Sequence, residues 1–170
     1  MTNYKDFALL YDKILEEIPH KSSLVEVGCG KSTAYMASQI RNNYCHKNLT
    51  FYVIDTFQDM HNANVLNYII PIVDCSFHAS LNFRRESLFF VYLNTQPTYY
   101  NISSDIDLWL SKIQIGGYIG GNNYSVEGVQ QTVNEHFVNI ENIYNSWLYK
   151  KSERLSMGSP IIKGNKGANK

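Results

Sequence analysis

The run Leu88-Phe89-Phe90-Val91-Tyr92-Leu93 sets six apolar or aromatic side chains in succession, with no polar alternation. A strand with one wet face alternates in polarity. One that is apolar throughout is covered on both faces, as in parallel sheets flanked by helices. The rest of the chain must therefore supply more strands and two apolar layers. Leu24 to Val27, Leu49 to Ile54 and the weaker Ile70 to Val73 read as strands, and Gly116-Gly117 reads as a turn into another at Tyr118 to Gly120. Ile140 to Tyr144 and Trp147 to Tyr149 read as a final pair around a tight turn at Asn145. Between the strands, apolar residues recur at helical spacing. Phe7, Leu10, Ile14 and Ile18 do so until Pro19, and Met36, Ala37, Ile40 and Tyr44 follow a start that Ser32 or Thr33 can cap. Ile102, Ile106 and Trp109 predict a helix from Ser103 or Ser104, and Val126, Val129, Val133 and Phe137 predict another. Residues 56 to 69 read as a loop with a short helix near Val65 to Tyr68, and Ser76 to Phe83 as a helical turn or two. The expected class is α/β, a doubly wound and mostly parallel sheet with helices on both faces.

Length and charge narrow what such a sheet is used for. The 170 residues suit one domain, taken as 1–150 with residues 1–20 its N-terminal helix, followed by a tail, 151–170, expected to be mobile at its end. Fifteen basic and fifteen acidic residues give a net charge of zero, which argues against a protein that grips nucleic acid or anionic membrane. Three cysteines without CxxC spacing make neither a disulfide frame nor a zinc site, and the five histidines are scattered. No apolar run reaches membrane-spanning length, and MTNYKDFALLYDK lacks a signal-peptide core. The expectation is a soluble, cytoplasmic protein with a small-molecule partner and no membrane partner, compatible with a homo-oligomer.

Ligands of open parallel sheets bind beyond the carboxyl ends of the strands. The strongest local signal there is SLVEVGCGKSTAYMA, a strand, a glycine turn and a helix. Two readings compete. GCGKST resembles the end of a Walker A loop, in which Lys31 reaches phosphates and Ser32 holds Mg²⁺, with Phe51 to Asp55 as the accompanying strand. That loop needs a glycine five residues before Gly30, where Val25 stands inside the strand. The second reading places Glu26 at the strand end, glycines in the turn, and Asp55 at the end of the next strand. A carboxylate there can accept both hydrogen bonds of a ribose diol.

Together with VIDTF, IVDCS and the long stretch from Leu88 to Phe137, this segment resembles class I S-adenosylmethionine-dependent methyltransferases, in particular their small O-methyltransferase-like group. The resemblance covers about residues 22 to 150, and SWLYKK resembles the family's last strand. It implies a Rossmann-like, seven-stranded sheet whose last strand is antiparallel. It also implies S-adenosylmethionine as cofactor and S-adenosylhomocysteine as product. Glu26, Gly28 and Gly30, with Cys29 and Ser32 in the same turn, then match the motif around the methionine moiety. Asp55, followed by Thr56, matches the acid that holds the ribose, and Asp74 with Cys75 matches the pair near the adenine. An acidic strand end suits a cofactor that carries an ammonium and a sulfonium.

The other half departs from the family. Its IDGDHSYE corresponds to Leu93 through Tyr100, so that its two aspartates are Asn94 and Gln96 and its histidine is Pro97. Its HDY corresponds to Asn122-Asn123-Tyr124. In metal-dependent members those acids hold a divalent ion, and hard cations want charged oxygens rather than neutral amides. The expectation is methyl transfer to a small-molecule oxygen or nitrogen without a metal. Asn94, Tyr99, Asn123 and Tyr124 are the catalytic candidates, and Asn94 also borders the cofactor. A catalytically inactive, cofactor-binding or scaffold protein is the alternative, and a P-loop nucleotide-binding protein the second. His61 and His78 lie near the ligand loops.

Overall fold

The computed structural model describes residues 4–56 and 66–152. His61, most of the expected loop and the end of the C-terminal tail lie outside the described residues. The chain forms a seven-stranded sheet of order β3-β2-β1-β4-β5-β7-β6. Its strands are β1 Ser23–Val27, β2 Thr50–Asp55, β3 Ile70–Val73, β4 Leu88–Leu93, β5 Ile113–Gly121, β6 Glu141–Ile143 and β7 Ser146–Lys150. The helices are α1 Tyr4–Glu17, α2 Lys31–Asn42, α3 Ser76–Ser80, α4 Tyr99–Trp109 and α5 Glu127–His136. β1 to β5 pair in parallel, whereas β7 runs antiparallel to both β5 and β6. The expected doubly wound sheet, with one antiparallel strand from the last pair, is therefore present.

The run at 88–93 behaves as its composition demands, with all six residues buried. Its alternate side chains enter two different cores. Phe90 and Tyr92 pack with Leu24, α1 and α2, while Val91 and Leu93 pack with Val25, Val27 and the helices α3 to α5. The first core is rich in rings, with Tyr11 edge-on to Phe90 and Tyr92 at centroid distances of 5.9 and 4.8 Å. The second closes on Trp109 and Trp147, both fully buried. Truncating either to alanine is expected to cost about 3–5 kcal/mol.

Two boundaries differ from expectation. α4 begins at Tyr99 rather than at Ser103 or Ser104, because Thr98 is its cap and accepts the Asn101 N–H at 3.3 Å. Gly116-Gly117 is not a turn into a strand but an irregularity inside β5. Leu88 pairs with Ile113 and Phe90 with Tyr118, so the longer strand bulges between them. A Cβ on Gly117 would stand 2.6 Å from the Phe89 carbonyl oxygen, which explains a glycine in a buried strand. Backbone pairing also continues past β7, since Lys151 exchanges hydrogen bonds with Gly116 and Gly117 and its ammonium donates to the carbonyls of Leu110 and Ile113.

The order of strands places β1 and β4 side by side while their successors run in opposite directions across the sheet. The loops after these two strands therefore diverge and leave a crevice at the carboxyl edge. No helix among the described residues is long and apolar enough to cross a membrane.

Candidate active site

Only Gly28, Cys29 and Gly30 connect β1 to α2. Gly28 has φ +90°, and a Cβ there would lie 2.2 Å from the Asn94 carbonyl oxygen. Both the conformation and the close approach of the loop after β4 require glycine. Around it the strand ends are stitched together, with Gly28 N–H donating to Ile54 O and Asn94 N–H to Val27 O, each at 2.8 Å. The Cys29 N–H donates to Asp55 Oδ2 at 2.6 Å. Asp55 thus organises the turn. The helix cap differs from expectation. Gly30 is the N-cap of α2, and its N–H is taken by the Thr33 hydroxyl at 2.9 Å. Ser32 is turned inward, where it donates to Glu26.

Glu26 is fully buried beneath this turn. Its Oε1 accepts from the Ser32 hydroxyl and from Asn94 Nδ2, the latter at 3.4 Å, and its Oε2 makes no hydrogen bond. Burial pushes the carboxyl up to about 8, against the opposing pull of the neighbouring polar groups of Ser32, Thr33, Tyr11 and Asn94. The Tyr11 hydroxyl faces Glu26 closely enough for each to shift the other, without completing a hydrogen bond. The phenol of Tyr11 is held well above its ordinary value, by burial first and by Glu26 second. A carboxyl in this state accepts a proton readily, and a cation beside it would restore its charge. Cys29 is half-buried, and desolvation raises its thiol, so it packs the turn and is not poised as a thiolate nucleophile.

At the next strand ends, Asp74 N–H bonds to Asp55 O at 3.3 Å and Cys75 N–H to Asp74 Oδ1 at 2.8 Å. Thr56 is exposed directly after Asp55. These residues and the Gly28 turn follow three neighbouring strands, so the structure brings the sequence-predicted cofactor residues to one edge.

The second half of the crevice is built from amides. Asn94, after β4, donates through Nδ2 to Ser32 Oγ at 3.2 Å and to Gly28 O at 3.4 Å, besides Glu26. Its Oδ1 accepts from Asn122 Nδ2 at 2.7 Å, and Asn122 Oδ1 accepts from Asn123 Nδ2 at 3.1 Å. A continuous relay therefore runs from the buried Glu26 to Asn123, whose left-handed φ of +59° is one that asparagine tolerates. Tyr99 and Tyr124 are engaged elsewhere. Their hydroxyls donate to Glu135 at 2.6 Å and to Asn134 at 2.9 Å, both on α5. Beside Tyr124 opens a cleft of about 390 Å³ lined by Ser125, Gln130, Asn142, Tyr144 and Asn145, none of them charged.

Sequence reasoning missed the pins beneath the loops. The buried carboxylate of Asp105 accepts from the Thr95 hydroxyl at 2.8 Å and from Ser76, which in turn accepts from Trp109 Nε1 at 2.9 Å. That network ties α3, α4 and the loop after β4 together. Nothing in the spacing of Ser76, Thr95 and Asp105 announces it, since the contact is tertiary.

No protein-family model and no curated protein matches the sequence. Solved structures do match it. The O-methyltransferase NovP superposes with a TM-score of 0.65 at 13% identity, over 86% of this chain and 79% of that one. The O-methyltransferase from Bacillus cereus, in complex with S-adenosylhomocysteine, gives 0.61 at 12% identity over 87% and 80%. The MycE methyltransferase of the mycinamycin biosynthetic pathway, in complex with Mg, S-adenosylhomocysteine and mycinamycin VI, gives 0.61 at 12% identity, over 91% of this chain but 48% of that one. Identities this low speak for architecture alone, and that architecture is the one the motifs implied: the chain has the fold of the class I S-adenosylmethionine-dependent methyltransferases.

Proposed function

We propose that the protein is an S-adenosylmethionine-dependent methyltransferase that acts on a small-molecule oxygen or nitrogen without a tightly bound divalent metal. The observation that carries this reading is the contrast between two sets of strand ends. Glu26, Asp55 and Asp74 are acids arranged around a glycine turn, whereas Asn94, Asn122 and Asn123 are neutral amides already bonded to one another.

The residues present fit the cofactor. The Gly28 turn supports close approach, Asp55 offers a carboxylate at the ribose position, and Glu26 keeps an oxygen without a hydrogen bond in the wall behind the turn. When bound, S-adenosylmethionine supplies an activated methyl group on a sulfonium. Glu26, acting through Ser32 and Asn94, supplies negative potential toward the cofactor's cationic groups, and in a low-dielectric wall that potential is little screened. The amide relay presents fixed dipoles to the acceptor, and methyl transfer depends chiefly on alignment of the reacting atoms. The uncharged cleft beside Tyr124 favours a neutral acceptor.

Isothermal titration with S-adenosylhomocysteine tests the cofactor half. Binding is expected, weakened about a hundred-fold in Asp55→Ala through the loss of charge-assisted hydrogen bonds. No binding at high micromolar ligand would sink the reading. Turnover on an acceptor panel is expected to survive chelation of divalent ions, and a strict Mg²⁺ requirement would refute the metal-free mechanism. Cofactor binding without turnover on any acceptor would favour the inactive, scaffold alternative.

The P-loop alternative is weaker on this geometry. The turn before α2 has no length to wrap a phosphate, and the Ser32 hydroxyl is committed to Glu26.

A further inference from the structure

The fold brings three side chains able to ligate a metal together beside the adenine end of the crevice, joining Asp74 and Cys75 of the cofactor half to His78. Asp74, Cys75 and His78 each offer one ligand atom, and these atoms all lie within 4.8 Å of one another. Asp74 Oδ1 and His78 Nδ1 are 3.3 Å apart. The three are one oxygen, one sulfur and one imidazole nitrogen, a mixture characteristic of zinc and foreign to Mg²⁺ or Ca²⁺. We propose that Asp74, Cys75 and His78 form a Zn²⁺-class transition-metal site with an open fourth position, and that metal here and the adenosine of the cofactor exclude each other. The exclusion rests on the reading of Asp74 and Cys75 as adenine neighbours; the metal site does not.

Local geometry prepares the cluster. Cys75 is the N-cap of α3, and its carbonyl accepts the Ala79 N–H at 3.0 Å, which sets His78 within one turn of the cysteine. The helix cannot drift, because Ser76 is held between Asp105 and Trp109. The Cys75 N–H is bonded to Asp74 Oδ1, so backbone and carboxylate are mutually oriented. Tetrahedral zinc, with bonds of about 2.0–2.3 Å, sets its ligand atoms roughly 3.5 Å apart. The three side chains need to close by about an ångström, which exposed rotamers accomplish without moving the backbone. All three reach solvent, so a metal has access, and the fourth position faces water or a ligand. Coordination through sulfur displaces the thiol proton, so uptake strengthens as pH rises. Without metal, Asp74 and His78 amount to a surface ion pair one turn apart, a contact worth little by itself.

The test titrates the full, reduced chain with Co²⁺ as a spectroscopic substitute for Zn²⁺, before any cofactor is added. A thiolate-to-cobalt charge-transfer band is expected to saturate at about one metal per chain, to vanish in Cys75→Ser, and to persist in Cys45→Ser. His78→Ala and Asp74→Asn should weaken the metal by roughly ten-fold or more. Circular dichroism should confirm that these surface variants remain folded. A band that survives Cys75→Ser, or no band at micromolar metal, overturns the site. A second arm measures S-adenosylhomocysteine binding with and without saturating Zn²⁺, with about a ten-fold weakening or more expected. Equal affinity overturns the exclusion. If S-adenosylhomocysteine fails to bind the metal-free chain, the cofactor reading falls and the cobalt titration still decides the metal site.

Discussion

The two halves of the carboxyl edge solve the same structural problem with opposite chemistry. At the ends of β1 and β2 and just after β3 stand Glu26, Asp55 and Asp74, and two of these acids take backbone N–H groups as partners. After β4 and β5 stand Asn94, Asn122 and Asn123, bonded to one another, with Asn94 alone also donating to Glu26, Gly28 and Ser32. An amide can both donate and accept, so a row of amides satisfies itself, whereas a carboxylate only accepts and must be fed donors or a cation. The cofactor half is thus left with charge to offer a ligand. The acceptor half is electrically quiet. Glu26 sits at the join, bonded to Asn94 yet belonging to the acidic set.

The largest effect is expected where the two halves touch. Gly28→Ala would force a Cβ against the Asn94 carbonyl at a φ of +90°. A loss of about 3–5 kcal/mol of stability is expected in urea unfolding. A loss below about 1 kcal/mol would show that the loops after β1 and β4 can part freely, and would weaken the picture of a fixed join.

Glu26→Gln probes the charge at that join. An unfolded glutamate titrates near 4.3, and the folded one is pushed up to about 8. Between those values the folded chain holds a proton that the unfolded chain has released. Stability from this group is therefore fully present below the unfolded value and lost as pH rises through the folded one. Wild type should lose on the order of a few kcal/mol between about pH 5 and about pH 9. Glu26→Gln should show a flatter profile and exceed wild type in melting temperature at the alkaline end. Parallel profiles for the two proteins would mean that Glu26 does not carry a raised value.

Asn94→Asp sharpens the comparison by returning one acid to the quiet half. It removes the donors to Glu26, Gly28 and Ser32 and puts a second carboxyl beside a buried one. A loss of about 1–3 kcal/mol near neutral pH is expected in denaturant unfolding, with no Mg²⁺ binding by calorimetry. Micromolar Mg²⁺ affinity in this variant would show that the acceptor half lies one residue from a metal site. The smallest effect belongs to Tyr99→Phe. Its hydroxyl is spent on Glu135, whose carboxylate raises the phenol above its ordinary value. Stability should be unchanged in denaturant unfolding, and turnover should hold. A ten-fold fall in turnover would return Tyr99 to the acceptor site.

The strand ends were readable because they depend on short-range order. A buried strand that runs into VEVGCG, and another that ends in VID, announce both the turn and the acid. The start of α4 was not readable, since Thr98 competes with Ser103 and Ser104 as a cap and only the finished helix shows which hydroxyl meets a free N–H. The glycines at 116 and 117 misled for a similar reason. Glycine permits a turn or a bulge, and the pairing of β4 with β5 selected the bulge.

The sequence by itself determined the layered sheet, through strands apolar on both faces, and the contrast of acids with amides along its edge. Tertiary structure alone decided what those groups do to one another. It buried Glu26 under Ser32 and Asn94, and it linked Ser76, Thr95 and Asp105 across three elements. Periodicity is a property of neighbours along the chain and survives in one dimension. Burial, and the pKa shifts that follow from it, arise only when residues distant in sequence exclude water together.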